Sequence, residues 1–425
     1  MLPVEQTADN CIKCNICNTV CPVSAVTDLF PGPKYEGPQG QRFRANLALD
    51  GDGGSPDHSL DYCSGCGLCT QACPEGVMIA EINTVARTRI VAERGGLSLR
   101  DWIVSRPSLM GALARPVAPL ANLLLRSRPL RALVERALGV HRDAAMPRFS
   151  ATTFRSWARS HPRPAGTTRT VAYFHGCATQ AFEPEVGAAL VRVLERNRVG
   201  VTFPKQHCCG LPLLSNGDFT AARRYAAKLL RRLAPAATDP GVIVANSTSC
   251  GMTLKAKYRE LLGLEDADAT AVGRAVYDIC ELLLELHDQG ELDTGFGRID
   301  QFAVYHPPCQ LMAHGIGTPA LDLLALIPGL RVEQSRAGCC GIAGTYGTKV
   351  EKYQIAMDVG QPLFNQVAET RADFVICDSE TCRWHIAKAT GLPVYHPVQV
   401  LDHAYTLADR SARGDDRPAG AAARP

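Results

Sequence analysis

Residues 11–22 read CIKCNICNTVCP, and residues 63–74 read CSGCGLCTQACP. Both stretches have the spacing C-x2-C-x2-C-x3-C-P, which is typical of chains that hold 4Fe-4S clusters. Three cysteines at two-residue gaps let one short loop wrap three corners of a cubane, and the proline then redirects the chain. Zinc is the alternative, but zinc sites usually join two C-x2-C pairs across a longer loop. The spacing therefore predicts two 4Fe-4S clusters.

The fourth cysteine of each run decides how the ligands are shared. In two-cluster ferredoxins it binds the cluster of the other run. We therefore predict two crossed sets, Cys11, Cys14, Cys17 and Cys73 in the first, and Cys63, Cys66, Cys69 and Cys21 in the second. Residues 1–86 are predicted to form this ferredoxin-type domain from short helices. The stretch 31–57 between the runs is rich in Gly, Pro and Asp, which predicts a loop without helix or strand.

A second cysteine pattern is duplicated. Cys177, the pair Cys208-Cys209 and Cys250 recur as Cys309, the pair Cys339-Cys340 and Cys382, at offsets of 132, 131 and 132 residues. Helix-length stretches separate short apolar ones, and the predicted strands cover residues 171–175, 199–203, 241–245, 302–306, 330–334 and 374–377. This alternation predicts two duplicated α/β halves with parallel sheets, over residues 170–295 and 296–407. The predicted fold class is therefore α+β multidomain.

The eight cysteines of the repeat follow predicted strands, so they should collect at the carboxyl edge of each sheet, where ligand sites form. They fit further iron-sulfur clusters, with a redox disulfide, zinc or a purely structural role as alternatives. His175, His207 and His306 lie beside them and are predicted to be loop hydrogen bonders rather than ligands. Cys280 has no counterpart in the other half and is predicted to be a buried apolar residue. The sequence contains neither a P-loop nor a dinucleotide fingerprint after a strand.

Residues 87–169 form an Arg-rich connector with 16 arginines and 4 acidic residues, between blocks of net charge −6 and −3. Helices are predicted at residues 97–105 and 120–138, between prolines. The basic band predicts a contact surface for an anionic partner, either a membrane or a neighbouring protein, and a solvated linker is the alternative. Arg126, Arg128 and Arg131 lie in the middle of the second helix, which predicts that it lies on an anionic membrane surface rather than crossing it.

The cysteine content and the N-terminal sequence predict the compartment. The 18 cysteines in 425 residues are too sparse for a secreted disulfide scaffold, and the N-terminus shows no signal peptide pattern. The predicted compartment is a reducing cytosol. Residues 408–425, rich in Ala, Arg, Asp and Gly, are predicted to be a disordered tail.

Five blocks carry a resemblance to a known family: NCIKC at 10–14, PGPK at 31–34, RPSLMGALARPVA at 106–118, FHGC at 174–177 and CCGIAGTYG at 339–347. Their order resembles the family that contains heterodisulfide reductase subunits, glycolate oxidase iron-sulfur subunits and lactate utilisation iron-sulfur proteins. Within this family, the five blocks resemble those of the iron-sulfur subunits of anaerobic glycerol-3-phosphate dehydrogenases. It extends from about residue 10 to 405.

The resemblance implies a non-catalytic subunit that takes electrons from a flavoprotein catalytic subunit and passes them to a membrane quinone. It implies a cytoplasmic protein, peripheral on the inner face of the cell membrane, and no nucleic acid partner. Three alternatives stay open: the iron-sulfur subunit of a glycolate or lactate oxidase-type complex, a heterodisulfide or thiol reductase subunit, and a cytosolic iron-sulfur scaffold or redox sensor.

One departure from the family pattern concerns the last cysteine of each half. Relatives often end a half with C-x2-C, whereas this chain has Ser247-x2-Cys250 and Ser379-x2-Cys382. Cys377 lies two residues before Ser379, and the sequence leaves open whether it substitutes. The departure leaves open whether either half holds a five-cysteine noncubane cluster.

Overall fold

The two cysteine runs lie among short helices at the N-terminal end. The computed structural model describes residues 3–49, 59–162 and 164–414. The α-helices here are Pro3–Gln6, Ile16–Thr19, Gly40–Leu49, Leu68–Gln71 and Ile79–Glu93, with 3-10 turns at Thr7–Asn10 and Ser59–Tyr62 and a π-helical turn at Tyr35–Gln39. The long helix begins beside Thr70, whose hydroxyl accepts the N–H of Ala80 at 3.0 Å and donates to Glu81 at 2.7 Å. The predicted domain boundary at residue 86 falls inside this helix.

The predicted loop over residues 31–57 is wrong for its described part, because Tyr35–Gln39 and Gly40–Leu49 are helical. Buried polar contacts hold this helical stretch. The Gln41 amide donates to the buried Glu5 carboxylate at 3.1 Å, and Arg44 donates to the Glu36 carbonyl at 2.9 Å. Local Gly and Pro content predicted a loop, and these tertiary partners outweigh it. Residues 50–58, which include the predicted end of the loop, lie outside the described residues.

Two four-stranded parallel sheets form the centres of the two halves. The first contains β1 (Arg169–Phe174), β2 (Val199–Thr202), β3 (Ile243–Ala245) and β4 (Val276–Asp278), in the order β2-β1-β3-β4. The second contains β5 (Phe302–Tyr305), β6 (Arg331–Gln334), β7 (Phe374–Ile376) and β8 (Val394–Tyr395), in the order β6-β5-β7-β8. All neighbouring strands are parallel. The matching orders confirm the predicted duplication and fold class.

Helices cover both sheets. Those of the first half are Gly176–Ala181, Pro184–Arg196, Leu211–Ser215, Phe219–Thr238, Thr248–Met252, Tyr258–Leu262, Ala267–Ala275 and Ile279–Asp288, with a π-helical turn at Thr253–Lys257. Those of the second half are Cys309–Met312, Pro319–Ala325, Val350–Thr370, Glu380–Thr390 and Pro397–Ala412, with a 3-10 turn at Tyr346–Thr348. The predicted disordered tail is wrong for residues 408–412, which continue the last helix and include Asp409, paired with Arg196 at 2.9 Å. Residues 415–425 of that tail lie outside the described residues.

One apolar core joins the two halves. Tyr173 on β1 and Tyr305 on β5 belong to the same buried cluster as the helices Pro184–Arg196 and Pro397–Ala412. Each tyrosine is fully buried and donates to a side chain at the end of a neighbouring strand, Asn246 in the first half and Asp378 in the second, both at 2.8 Å. The halves therefore share a core and hold their sheets in one fixed relation.

The connector folds into helices Leu99–Val104, Pro107–Ala114, Ala118–Arg126, Arg128–Leu138 and Phe154–Ser160, with a 3-10 turn at Arg115–Val117. The single helix predicted over 120–138 is wrong, because Ser127 has an extended backbone and separates two helices. Pro107, Pro119 and Pro129 each stand in the first turn of a helix, where a missing N–H costs nothing. These prolines were expected to break the helices of the connector. They stand instead at the beginning of its helices.

Candidate metal centres

The structure brings Cys11, Cys14, Cys17 and Cys73 together around one cavity. Left-handed residues let the loop turn its sulfurs inward: Lys13 has a φ of 64° and Asn15 a φ of 71°. In the second run the equivalent positions are Gly65 and Gly67, with φ values of 67° and 87°. Both runs therefore wrap a cavity with the same backbone turn. Cys14 is the exposed member of this set.

A second cavity is lined by Cys21, Cys63, Cys66 and Cys69. All four are buried, and Phe30, Pro33 and Ala80 complete the wall. The Asn83 amide donates to the Cys63 sulfur at 3.5 Å. We call this the enclosed cavity, because all four of its cysteines are buried whereas Cys14 of the first cavity is exposed.

The grouping of the thiols follows the predicted crossing. Burial, followed by the thiols of Cys11, Cys14 and Cys73, raises the pKa of Cys17, so the fourth cysteine of the second run faces the first. Burial also raises the pKa of Cys69, and the contributing thiols there include Cys21 of the first run. Four crowded thiols form a soft donor set that suits an iron-sulfur cluster, and an amide N–H pointing at a sulfur is the usual second contact of such a site. The donor chemistry of both cavities fits 4Fe-4S clusters.

Cys177, Cys208, Cys209 and Cys250 meet at the carboxyl edge of the first sheet. The sulfurs of Cys209 and Cys250 are 3.4 Å apart, and the Gly210 N–H donates to Cys208 at 3.4 Å. Gly210 has a φ of 85°, which aims that N–H back at the sulfur. Tyr258 donates its hydroxyl to the Cys209 carbonyl and fixes the paired cysteines. The predicted first-half set is therefore assembled in one place.

Cys309, Cys339, Cys340 and Cys382 meet at the same edge of the second sheet. The Gly341 N–H donates to the Cys339 sulfur at 3.3 Å. Gly341 has a φ of 95°, and a Cβ there would lie 1.9 Å from the Ala356 carbonyl oxygen. Only glycine fits this turn. Cys309 and Cys339 share one buried cluster, Cys340 and Cys382 share a second, and a fifth cysteine, Cys377, belongs to the second cluster as well.

The histidines beside these thiols hydrogen bond through one nitrogen, as predicted. The Nδ1 atoms contact Gly176 O for His175, Cys208 O for His207 and Ser335 Oγ for His306, at 2.8, 3.0 and 2.8 Å. The Nε2 atom of each is buried and has no hydrogen-bond partner among the described residues. An unpaired buried ring nitrogen is costly unless a further group lies beside it. Each site thus has at least one buried histidine Nε2 atom without a hydrogen-bond partner next to its thiols.

The second-half thiols lie against the more enclosed ferredoxin cavity. Burial and then the Cys339 thiol raise the pKa of Cys66, and the Cys66 thiol also acts on Cys309. Cys21, Cys63, Cys66, Cys309 and Cys339 all belong to one buried apolar cluster. The Gln310 amide donates to the Cys66 carbonyl at 3.3 Å, which fixes the two loops against each other.

Two arrangements cannot be read from the sequence. Arg383 is 3% exposed, pairs with Glu183 of the first half, and donates to the Cys377 carbonyl at 3.0 Å. No spacing links Glu183 to Arg383, so only the fold reveals the pair. Cys280 is fully buried, as predicted, but it lies beside the carboxylates of Asp278 and Asp378 rather than among apolar groups alone.

Comparison with known proteins matches these regions to two family models. A 4Fe-4S dicluster domain matches residues 7–77, and a cysteine-rich domain matches residues 171–255 and 303–387. The chain is therefore an iron-sulfur protein with a dicluster domain and a duplicated cysteine-rich domain. The role of each cysteine as a ligand stays a prediction.

Several relatives match this chain along most of its length. The glycolate oxidase iron-sulfur subunit of Escherichia coli is 24% identical, with 93% of each chain covered. One of the subunits of the fumarate reductase (CoM/CoB) of Methanothermobacter marburgensis is 25% identical, over 93% of this chain and 72% of that protein. One of the subunits of the anaerobic glycerol-3-phosphate dehydrogenase of Escherichia coli K12 is 37% identical over 407 residues, which cover 94% of this chain and 99% of the relative. This chain belongs to the family of that anaerobic glycerol-3-phosphate dehydrogenase subunit.

Proposed function

We propose that this chain is the iron-sulfur electron-transfer subunit of a membrane-associated anaerobic glycerol-3-phosphate dehydrogenase, relaying electrons from a flavoprotein subunit to quinone. The relative that is 37% identical is, by its name, a subunit of such a dehydrogenase. The observation that carries the proposal is the contact between the enclosed ferredoxin cavity and the second-half thiols. Iron-sulfur clusters held at these sites would supply single-electron transfer.

The relay needs neighbouring sites, and residues of the second half hold the ferredoxin domain in place beside it. Tyr346 from the second half donates its hydroxyl to the Tyr62 carbonyl at 2.9 Å, one residue before Cys63. Lys352 donates to the Asp61 carbonyl and lies over the rings of Tyr62 and Tyr346. These contacts hold the ferredoxin domain against the second half. They keep the cysteines of the enclosed cavity next to the cysteines of the second half.

The more exposed ferredoxin cavity suits the place where electrons enter the chain. Cys14 is exposed, and Ile12 and Ile16 beside it are 61% and 41% exposed. Lys34 donates to the Asn15 side chain at 2.7 Å and places a positive charge on the rim. Lys13 and Glu75 are also exposed there, and an apolar rim with few charges fits contact with a partner protein better than contact with water. We assign this face to the flavoprotein subunit.

The connector supplies the face that we assign to the membrane. Leu109, Leu113, Val117, Leu120 and Leu123 are all 40% or more exposed and follow helical spacing along Pro107–Arg126. Arg115, Arg126, Arg128 and Arg136 are exposed on the same connector and form no ion pair with the described part of the chain. Leucines and arginines together fit the surface of an anionic bilayer, where each basic residue contributes about 1 kcal/mol.

By length and composition, Pro107–Arg126 could also cross a membrane, with 20 residues and a mean hydropathy of 1.3. Its opposite face argues for lying on the surface. Asn122 exchanges two hydrogen bonds with the Phe149 backbone, at 2.8 and 2.9 Å, and Ala118 is 1% exposed. A Cβ on Gly111 would lie 2.6 Å from that of Ala181. A spanning helix would lose these contacts with the folded halves, so we place the protein on the cytoplasmic membrane surface.

The three arginines predicted to lie in the middle of one helix have different environments in the structure. Arg131 is half-buried and donates to the carbonyls of His141 and Ala144 at 3.3 and 2.6 Å. It therefore holds the connector together and is not available to a membrane. Arg126 and Arg128 remain exposed on either side of Ser127.

The purified chain alone should oxidise neither glycerol 3-phosphate nor NADH, because its polar constellations are thiol sites rather than nucleotide or acid-base sites. Its clusters should nevertheless be bleached by dithionite. Adding the flavoprotein subunit should make the bleaching dependent on glycerol 3-phosphate. Bleaching by glycerol 3-phosphate in the pure chain would contradict the relay, and thiol-disulfide turnover by the pure chain would favour the reductase alternative.

A further inference from the structure

We propose that Cys377 is a ligand of the metal group held by the second half, so that this site has five thiols where the first half has four. The inference rests on the proposed iron-sulfur function of the second half and goes further, since it assigns a residue that the cysteine repeat does not contain. It also makes the two halves chemically unequal.

The position of Cys377 is fixed by the end of β7. Its N–H donates to the Tyr395 carbonyl at 2.9 Å, and its carbonyl accepts from Arg383 at 3.0 Å. The residue is fully buried. Both backbone groups are therefore held, and the side chain lies in the same buried cluster as Cys340 and Cys382.

The second-half cysteines lie in two buried clusters. Cys309 and Cys339 belong to one, Cys340, Cys377 and Cys382 belong to the other, and the peptide bond between Cys339 and Cys340 joins the two. A buried cysteine that serves only as a small apolar residue needs no such neighbours. Cys377 therefore belongs to a group of cysteines that reaches the edge of the ferredoxin domain.

The first half lacks the fifth thiol. The register of the two sheets makes Val244 the equivalent of Ile376, since Val244 pairs with Tyr173 as Ile376 pairs with Tyr305, so Ala245 takes the place of Cys377. The first-half thiols are Cys177, Cys208, Cys209 and Cys250, and a serine hydroxyl lies beside the last sulfur in both halves, that of Ser247 in the first and that of Ser379 in the second. The same fold thus presents four sulfurs at one site and five at the other.

A second observation points to a bound group among the five thiols. His306 is fully buried, and its Nδ1 contacts Ser335 Oγ, while its Nε2 has no hydrogen-bond partner among the described residues. The ring interacts with both Cys339 and Cys382. His385 also has a buried, unpartnered Nε2 and interacts with the same two thiols. Two unsatisfied ring nitrogens beside five thiols indicate that a further group belongs there.

The test compares iron content in anaerobically purified chain carrying Cys377→Ala, Cys382→Ala or Cys280→Ala. Cys280 is the matched control, because it is equally buried but lies outside the two buried clusters of second-half cysteines. We expect Cys377→Ala to lose iron and alter the low-temperature EPR spectrum as Cys382→Ala does, with the two ferredoxin signals retained. Cys280→Ala should keep the wild-type iron content and spectrum. Retained ferredoxin signals also show that each variant is folded.

The outcomes separate this inference from the proposed function. If Cys382→Ala loses iron and Cys377→Ala does not, Cys377 is no ligand, although the second half still holds a cluster. If neither loses iron, the second half holds no cluster, and both proposals for it fail. Should Cys377→Ala not fold, Cys377→Ser decides instead, because serine keeps the volume: a changed EPR spectrum supports ligation, and an unchanged one overturns it.

Discussion

Replacing Cys73 with serine should remove the same cluster signal as replacing Cys14, although the two cysteines belong to different runs. The first cavity is lined by both, and Cys73 is among the thiols that act on Cys17. Each variant should lose about four of the roughly eight iron atoms that two 4Fe-4S clusters contain. Iron analysis and EPR spectroscopy of the reduced protein measure both effects.

Cys66→Ser provides the comparison for this prediction, because Cys66 lines only the second cavity. It should abolish the other signal and leave intact the signal that Cys14→Ser and Cys73→Ser remove. The crossed assignment is wrong if Cys73→Ser and Cys66→Ser abolish the same signal. Stoichiometric zinc and no iron in the unreplaced protein would reject the iron-sulfur assignment of the ferredoxin domain altogether.

Replacing both Leu113 and Leu123 with glutamate should release the protein from anionic liposomes. These side chains are 65% and 64% exposed on the connector face. Full burial of a leucine contributes about 1.5–3 kcal/mol, and about 1.4 kcal/mol is a tenfold change in affinity. Allowing for partial insertion, two such losses should weaken binding by at least about 100-fold. Flotation with vesicles of anionic phospholipid, at low and high salt, measures it.

A matched pair of substitutions controls for general loss of exposed apolar surface. Leu29 and Phe43 are 51% and 62% exposed, but they lie in the ferredoxin domain. Leu29→Glu with Phe43→Glu should leave liposome binding close to wild type. Reversal of Arg126 and Arg128 to glutamate should reduce binding mainly at low salt, since exposed charges are screened at high salt. Resistance to carbonate extraction would instead show a spanning helix.

The duplicated halves are predictable because their signals are local and repeated. Six strands coincide with short apolar runs, which parallel sheets require, and each precedes a cysteine. The strands β4 and β8 are absent from the sequence-based prediction, because they have only three and two residues, and β4 also lies directly between two helices. Their existence depends on pairing with β3 and β7, which is a tertiary contact.

The sites show the same division between local and tertiary signals. Ferredoxin spacing predicts both cavities, including the crossed fourth cysteines, because one loop and one proline define each run. The contact of Cys66 with Cys339 joins residues far apart in sequence, so spacing carries no trace of it. The sequence shows Cys377 close to Ser379, but the matching position of the first half holds no cysteine, so the repeat leaves the role of Cys377 open. The proximity of Cys377 to the other second-half cysteines depends on the position of β7 in the folded sheet.

Quinone reduction by the assembled complex containing Cys66→Ser chain tests the relay most directly. Cys66 lines the enclosed ferredoxin cavity and contacts the second-half thiols, while the flavoprotein is untouched by the substitution. With glycerol 3-phosphate as substrate, we predict that quinone reduction falls by at least about 100-fold, because the relay loses one of its clusters. Reduction of an artificial dye by the flavoprotein should continue at the wild-type rate. Quinone reduction at the wild-type rate in a complex shown by EPR to lack this cluster would contradict the account.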